Sequence, residues 1–516
     1  MKQRKFTDEE LLEIKRAHYT MPSDERDKVL GEQYGVSERS IRRWLKNIGL
    51  TNGIEETNAD ILRAKKRELD KKKFYIITSA QNATNVNKGL WQNILAYADF
   101  LGAAIHVIPY RYKNPTSTFT EGDNDFWAQD LLPFLDMNRH SVHRDLQLLS
   151  DVKIQPTAAS PLSGLEGITG HQSCIIGHPR MQLKSMPTLD GYHQKVMMTT
   201  GVCTIPNYTD SKAGKRGEFH HVYGFAIVEV KNRDIFYMRQ VSACEDGRFI
   251  DLIHDVRDGV VTKIDTCKGW RLGDIHVRDV DHDKIEENIR TMNILRPAKV
   301  VLDDVFDGST VNHHNKDNHI GRALAYKNGH HLIEQEINEM VDWLNMFMDK
   351  TSSSEYVITK SNHDLWLDKY LNHVKWQNDY ANADIILKLQ AIAISGEADN
   401  GLIAYIIHDK TKYRYLKYNE SYIIGDTECS QHGHVGVNGA RGTHAQFRNL
   451  SMKICTAHSH SISRFDGFVC VGTSTQKRLS YNAGASGWIQ CDVIFDNNNK
   501  YQQIIFADDK RFTTLF

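Results

Sequence analysis

The sequence predicts a mixed α/β chain built from several modules, and three observations carry that prediction. Residues 6–49 repeat apolar positions at spacings of three and four, the period of a helix. From Phe74 onward the pattern changes to short apolar runs alternating with helical stretches, the order of a parallel β-α-β sheet. Beyond residue 268, apolar runs are followed at once by clustered Asp, Asn and His. That places polar side chains at the carboxyl ends of strands, where alternating β/α sheets carry their sites. A length of 516 residues argues for two or three domains. The expected division is an all-α segment at 1–50, a charged linker at 51–73, an α/β middle region at 74–267 and a C-terminal region at 268–516.

Bulk properties exclude several classes. Hydrophobic residues make up 40% and charged residues 25%, an ordinary globular balance. The formal net charge of -1 gives no global basic field, so any nucleic-acid contact must come from local patches. No apolar run reaches the ~20 residues needed to cross a bilayer, and Met1-Lys-Gln-Arg-Lys-Phe has no apolar core of a signal peptide. The eight cysteines are scattered without a CxxC pair, which reads as the reduced thiols of a cytoplasmic protein.

The N-terminal segment divides into three helices. Thr7-Asp-Glu-Glu offers a capping box for the first, to about His18. The second runs from about Ser23 to Tyr34, and Gly35-Val-Ser37 turns into a third that ends near Ile48. On that last helix Ile41, Trp44, Leu45 and Ile48 share one face, while Arg39, Arg42, Arg43 and Lys46 lie mainly on the other. The apolar side would seat the helix and the cationic side would meet phosphates and base edges. The stretch Gln33-Tyr-Gly-Val-Ser-Glu-Arg-Ser-Ile-Arg-Arg-Trp-Leu resembles a helix-turn-helix, with double-stranded DNA as its partner. The linker's Arg63-Ala-Lys-Lys-Arg and Lys71-Lys-Lys read mainly as a solvated charge run.

In the middle region Phe74-Tyr-Ile-Ile-Thr and Ala104-Ile-His-Val-Ile-Pro read as strands flanking a helix over Leu90–Leu101. Further strands are expected at Ser173-Cys-Ile-Ile-Gly, Val222 to Val230 and Asp234 to Val241. Ser211-Lys-Ala-Gly-Lys-Arg-Gly reads as a small basic loop without the spacing of a nucleotide-binding loop. The following His220-His221 pair reads as structural before catalytic.

Five motifs follow in order: Asp274-Ile-His276; Asp303-Asp304-Val-Phe-Asp307; Ser361-Asn362-His363-Asp364; His432-Gly-His434; and His458-Ser-His460. Carboxylates, an amide and several imidazoles are ligands that suit Mn²⁺, Fe or Zn²⁺, with Mg²⁺ at lower affinity. In Asp-x-His the strand pleat points both side chains to one side, so a single ion can take both. A carboxylate such as Asp304 can bridge two ions ~3.5–4 Å apart. The helix before the third motif carries an apolar stripe of Ile333, Ile337, Met340, Val341 and Leu344.

These motifs resemble the calcineurin-like metallophosphoesterase superfamily, whose pattern is DxH, GDxxD, GNH(D/E), a lone His and GHxH, over roughly residues 268–516. The resemblance implies a β-sandwich flanked by helices and two divalent metals, Mn²⁺ before Mg²⁺. Asp274, His276 and His460 would hold one ion. Asn362, His458 and His432, with His434 as the alternative, would hold the other, and Asp304 would bridge. His363 would act on the leaving group or the pentacovalent phosphate, and Asp364 would orient it. The pattern's glycines are replaced by Asp303, Ser361 and Ala457, which marks a divergent member.

Within the superfamily the helix-turn-helix and the large middle region point to a DNase of the Mre11 and SbcD type, acting as a homo-oligomer. The runs Ile77-Thr-Ser-Ala-Gln-Asn-Ala-Thr, Pro206-Asn-Tyr-Thr-Asp-Ser-Lys-Ala-Gly-Lys and Gly436-Val-Asn-Gly-Ala-Arg-Gly are similar to pre-early DNA-transfer proteins of T-odd coliphages, linked to host DNA degradation. Arg441, beside the fourth motif, could steady a phosphate. The alternatives are a small-molecule phosphodiesterase or phosphatase, and a non-catalytic DNA-binding regulator.

Overall fold

Thr7 opens the N-terminal module with a reciprocal cap. Its Oγ1 accepts from the Glu10 N–H at 3.2 Å, and its own N–H donates to Glu10 Oε2 at 2.9 Å. The computed structural model describes the chain except residues 1–5, 8, 12, 15–16, 18–20, 48–68, 70, 113–126, 314–316, 466 and 480–481. Most of the expected linker and Ile48 therefore lie outside the described residues. Helix α1 (Ser23–Tyr34) ends at Gly35, whose φ of 63° is the left-handed turn that glycine adopts without strain. Helix α2 (Glu38–Asn47) starts from Ser37, whose Oγ accepts from the Ser40 N–H. Ile14, Ala17, Leu30, Ile41 and Leu45 form a small core, with Phe6, Tyr34 and Trp44 packed edge to face beside it.

The middle region begins with β1 (Phe74–Gln81), α3 (Lys88–Leu101) and β2 (Ala104–Tyr110), and β1 pairs with β2 in parallel as the sequence pattern predicts. Five short strands follow: β3 (Arg139–His143), β4 (Leu146–Leu149), β5 (Ser173–Ile176), β6 (Gln182–Ser185) and β7 (Val196–Thr199). Then come α4 (Lys212–Phe219), β8 (Gly224–Val230), β9 (Phe236–Ser242) and a three-stranded sheet of β10 (Phe249–Asp251), β11 (His254–Arg257) and β12 (Val260–Lys263).

The stretch read as a basic loop is helix α4. Ser211 caps it, and its two glycines serve close packing: a Cβ on Gly214 would sit 2.0 Å from the Thr209 carbonyl oxygen. Lys215 pairs with Asp210 and Glu218, and Arg216 donates to Thr157 O.

The C-terminal region runs through β13 (Cys267–Arg271), α5 (His282–Leu295), β14 (Pro297–Leu302), α6 (His319–Lys327), α7 (Ile333–Lys350), β15 (Glu355–Ile358), α8 (Asp364–His373), α9 (Ala383–Ser395) and α10 (Leu402–Lys410). It ends with β16 (Arg414–Tyr415), β17 (Ile423–Ile424), β18 (Thr427–Glu428), β19 (Lys453–Thr456), β20 (Ser463–Phe465), β21 (Phe468–Cys470), β22 (Cys491–Phe495) and β23 (Tyr501–Ile505).

Three larger sheets stack in layers. In the first, ordered β2-β1-β8-β9, α3 covers one face, and Tyr75, Ile77, Ala226 and Val228 on the other meet Leu146, Leu148, Ile175 and Met198. The second has ten strands, β17-β18-β19-β21-β20-β6-β7-β5-β4-β3, and is joined where Arg464 of β20 stands opposite Leu183 of β6. It takes strands from both sides of residue 267, so the middle and C-terminal regions share a sheet.

The third sheet, β16-β15-β14-β13-β22-β23, is parallel from β16 to β13 and antiparallel beyond. Period-2 alternation sets its two faces. Val300, Leu302, Tyr356 and Ile358 lie in the core shared with α5 and α7–α10, including the expected stripe of α7. Val301 and Val357 point the other way, against Ile424, Cys455 and Val469 of the ten-stranded sheet. Among the described residues no helix is long and apolar enough to cross a membrane.

Two histidines of the middle region are locked in the neutral form. His178 Nδ1 accepts from the Arg180 N–H while Nε2–H donates to Gln155 O, and His221 Nε2–H donates to Thr204 O while Nδ1 accepts from the Tyr208 hydroxyl. Burial pushes both down to about 4. Unfolding lets each take a proton from the ordinary value of 6.5 downward. Stability is therefore present above pH 6.5 and is lost as pH falls toward 4, by about 3 kcal/mol per histidine. Urea unfolding at pH 7, 6 and 5 should show this loss, and a His178→Gln variant should flatten it; a midpoint independent of pH in this window would contradict the assignment.

Candidate metal centre

Each of the five motifs sits just beyond the end of a strand or in a segment paired to one. Asp274 follows β13, Asp304 follows β14, Asn362 follows β15, His432 follows β18, and His458 and His460 follow β19. Gly273 fits Asp274 into place, because a Cβ there would lie 2.7 Å from the Thr473 backbone. Four of these residues have left-handed backbones despite their side chains: His276 (φ 46°), Asp304 (φ 46°), His458 (φ 72°) and His460 (φ 54°). Such conformations cost of order 1–3 kcal/mol each and collect at functional sites.

Asp274, Asp303 and His432 form one group of potential metal ligands, and two more overlap it: Asp274, His276, Asp304 and His460, and Asp304, His432 and His458. Asp304 belongs to the latter two, and one of its oxygens does the joining: Oδ2 lies 3.6 Å from His276 Nε2 and 3.3 Å from His432 Nε2. His460 Nε2 is 2.8 Å from Asp274 Oδ2 and 3.4 Å from His276 Nε2. Asn362, in the third motif, has a buried amide oxygen without a hydrogen-bond partner. The same holds for Asp274 Oδ1, Asp304 Oδ1 and His460 Nδ1. Leaving a buried polar atom unpaired costs about 1–3 kcal/mol, so this concentration fits a divalent cation. The donors are oxygen and imidazole nitrogen with no thiolate, as Mn²⁺, Fe²⁺ or Zn²⁺ accept.

Electrostatics point the same way. Burial pushes the Asp304 carboxyl up, but His432, His363 and His276 outweigh it and hold the group well below the usual carboxylate range. Burial pushes His276 down, yet Asp307, Asp304 and Asp274 lift it to about 9. His432 is lifted likewise by Asp304, Asp303 and Asp274 against its burial. His363, His434 and His458 are held down by burial, to about 4, about 3 and about 4. The imidazoles thus keep the Asp304 carboxylate ionised.

His432 and not His434 joins the ligand groups; His434 Nε2 instead lies 2.9 Å from the Tyr418 hydroxyl. His363 stands beside the group that contains His276, its ring centroid 4.6 Å from that of His276. Its Nδ1–H donates to Asp307 O at 2.7 Å, and its ring stacks on Trp366 at 3.9 Å. The expectation that Asp364 orients His363 is corrected. Asp364 Oδ2 accepts from the Ser361 N–H at 2.9 Å and the Tyr415 hydroxyl at 2.7 Å, while Ser361 Oγ accepts from the Asp364 N–H. This reciprocal cap sits at the start of α8, and the hydrogen bond that holds the His363 ring comes from Asp307 O instead. Asp303, Ser361 and Ala457, which replace the pattern's glycines, have no left-handed φ, so their side chains cost no backbone strain.

Sequence reasoning missed Arg271 and Asp492, and it named Asp307 in the second motif without giving it a role. Asp307 approaches His276 Nδ1 at 3.4 Å and accepts from the Arg278 N–H. Asp492 accepts from the Gly273 N–H and from buried Lys284. The available signal was a charged residue inside an apolar run, as in Trp270-Arg271-Leu272. Away from the site, His106, Asp136 and His140 also cluster, but Asp136 Oδ2 is shared by the two imidazoles at 3.2 and 2.6 Å, a hydrogen-bonded link between β2 and β3.

On α2 the cationic face is smaller than expected. Arg42 is tied to Asp27 of α1 at 2.8 Å and reaches Glu38, which leaves Arg39 and Arg43 exposed; the Lys46 side chain lies outside the described residues. Arg441 is exposed in the loop after His434, bridged through its backbone to Val435.

No family model matches the chain, and no solved structure matches it. Among curated proteins it is similar to Protein A1 of Escherichia phage T5, 29% identical over 475 residues, covering 86% of this chain and 84% of that protein.

Proposed function

We propose that the chain is a calcineurin-like metallophosphoesterase that hydrolyses DNA phosphodiesters at a two-metal centre. The observation that carries the reading is Asp304 Oδ2, set between an imidazole of one ligand group and an imidazole of the other. Asp274, His276 and His460 would hold one ion, Asn362, His432 and His458 the second, and Asp304 both. The two-sheet core with helices on its outer face supports the superfamily's sandwich. The ligand set favours Mn²⁺ over Mg²⁺.

Divalent ions bound there supply Lewis acidity at a phosphoryl oxygen and lower the pKa of water. The protein's own groups supply position and proton control. Asp307 O holds the Nδ1–H of His363, which leaves Nε2 as the atom available to a substrate oxygen. Trp366 fixes that ring's plane by stacking. No side-chain nucleophile is required.

DNA is favoured by the exposed Arg39 and Arg43 on a helix seated by its apolar face. The likeness to a phage protein supports a role in degrading host DNA within the host cytoplasm.

Linear and circular double-stranded DNA should be degraded with Mn²⁺ and spared with EDTA. Asp304→Ala should abolish the activity, and His363→Ala should lower kcat by about 10²–10⁴-fold. Intact DNA beside cleavage of a small phosphodiester would replace this reading with a small-molecule phosphodiesterase. Mn²⁺ at about 100 times its dissociation constant should stabilise the wild type by about 2.7 kcal/mol; an unchanged melting temperature would count against the centre. Arg39→Ala and Arg43→Ala should each weaken DNA binding and reduce its salt slope by about 1, whereas an unaltered slope would remove α2 from the interface.

A further inference from the structure

Beneath the ligands lies a fully buried ion pair, Arg271 with Asp303, of which the five motifs contain only the aspartate. Arg271, the last residue of β13, donates Nε–H to Asp303 Oδ2 at 2.8 Å and Nη2–H to Asp303 Oδ1 at 2.7 Å. The same guanidinium reaches Cys429 O at 3.2 Å, Gln431 O at 3.0 Å and Cys455 O. Asp303 Oδ1 also accepts from the Thr359 hydroxyl and faces His432 Nδ1 at 3.2 Å. β13, β14 and β15 belong to one sheet, while β18, which leads into residues 429–431, and β19 belong to the other. One pair therefore touches the backbone or side chains leading into all five motifs, and it clamps the two sheets together at the edge that bears the ligands.

We propose that Asp303, held by Arg271, is the positioning residue of the centre, fixing His432 as a ligand; this inference rests on the metallophosphoesterase reading. A carboxylate facing Nδ1 accepts a hydrogen bond from the Nδ1–H, which fixes the proton on that nitrogen and leaves the Nε2 lone pair for a metal. Nε2 is the nitrogen that stands 3.3 Å from the bridging Asp304 oxygen. Asp303 is not itself a ligand, although it falls in a group with Asp274 and His432, because both its oxygens are engaged by Arg271. The adjacent aspartates divide the work: Asp303 orients and Asp304 binds. The residue that departs from the superfamily's glycine thus has a use, and Arg271 is the partner that makes its burial tolerable.

The test is Mn²⁺ titration of the full chain by calorimetry, with melting in EDTA as the measure of folding. Asp303→Ala should weaken one of two Mn²⁺ equivalents by about 10–100-fold. Asp303→Asn, which keeps an acceptor toward His432, should bind as wild type does. The double variant Arg271→Leu/Asp303→Leu removes both charges, so it should melt above Asp303→Ala, which leaves the guanidinium buried without its carboxylate, and yet keep the weakened equivalent. If Asp303→Ala binds both equivalents normally, or if the double variant recovers affinity together with stability, the pair is a structural clamp and the inference falls. A wild type that binds no Mn²⁺ would remove the metal centre and this inference together, whereas normal wild-type binding with an unaffected Asp303→Ala removes the inference alone.

Discussion

Carboxylates and imidazoles gathered out of water need compensating charge and partners, and the C-terminal region is arranged around that constraint. Asp274 and Asp304 are buried with oxygens that no hydrogen bond satisfies, and imidazoles from three segments crowd against them. The left-handed backbones of His276, Asp304, His458 and His460 add conformational cost at the same place. A chain tolerates this where the surrounding structure over-determines the geometry. Here that structure is two sheets whose strand ends meet, cross-linked below the ligands by Arg271 and Asp303.

Alternation along the strands lets one short run serve two cores. Val300 and Leu302 anchor β14 to the helices, Val301 anchors it to the opposing sheet, and Asp303 and Asp304 follow at the end of that doubly fixed strand. The middle region contributes to the same rigidity, because β6 continues the ten-stranded sheet beyond β20. A second tie is Arg239 of β9, buried with Glu229 and Asp251, whose carboxylates also accept from Thr513 and Gln502 near the C-terminus. The middle region is thus part of the frame that holds the site.

Local features were legible in the sequence. The caps at Thr7 and Ser37, the β-α-β start and the α7 stripe follow from short-range periodicity and hydrogen bonding. The ligand types were legible because their spacing is local: Asp274 and His276 fall in one group, whereas His458 and His460 divide between two. What escaped depends on contacts between distant segments. The pairing of residues 182–185 with 463–465 has no local signature. The glycines of α4 resembled loop signals until Thr209 and Tyr208 appeared against them. Asp364 looked like a partner for its neighbour His363, but the turn into α8 gives its carboxylate to Ser361 and Tyr415. Arg42 sits on the cationic face by spacing, yet Asp27 on the preceding helix captures it.

The claim on which the rest stands is that Asp304 bridges two metal ions. Anomalous diffraction at the manganese edge, from crystals grown with Mn²⁺, tests it most directly. The account predicts two peaks ~3.5–4 Å apart, one beside Asp274, His276 and His460, the other beside Asn362, His432 and His458, with Asp304 between them. A single peak, or none at these residues, would contradict it.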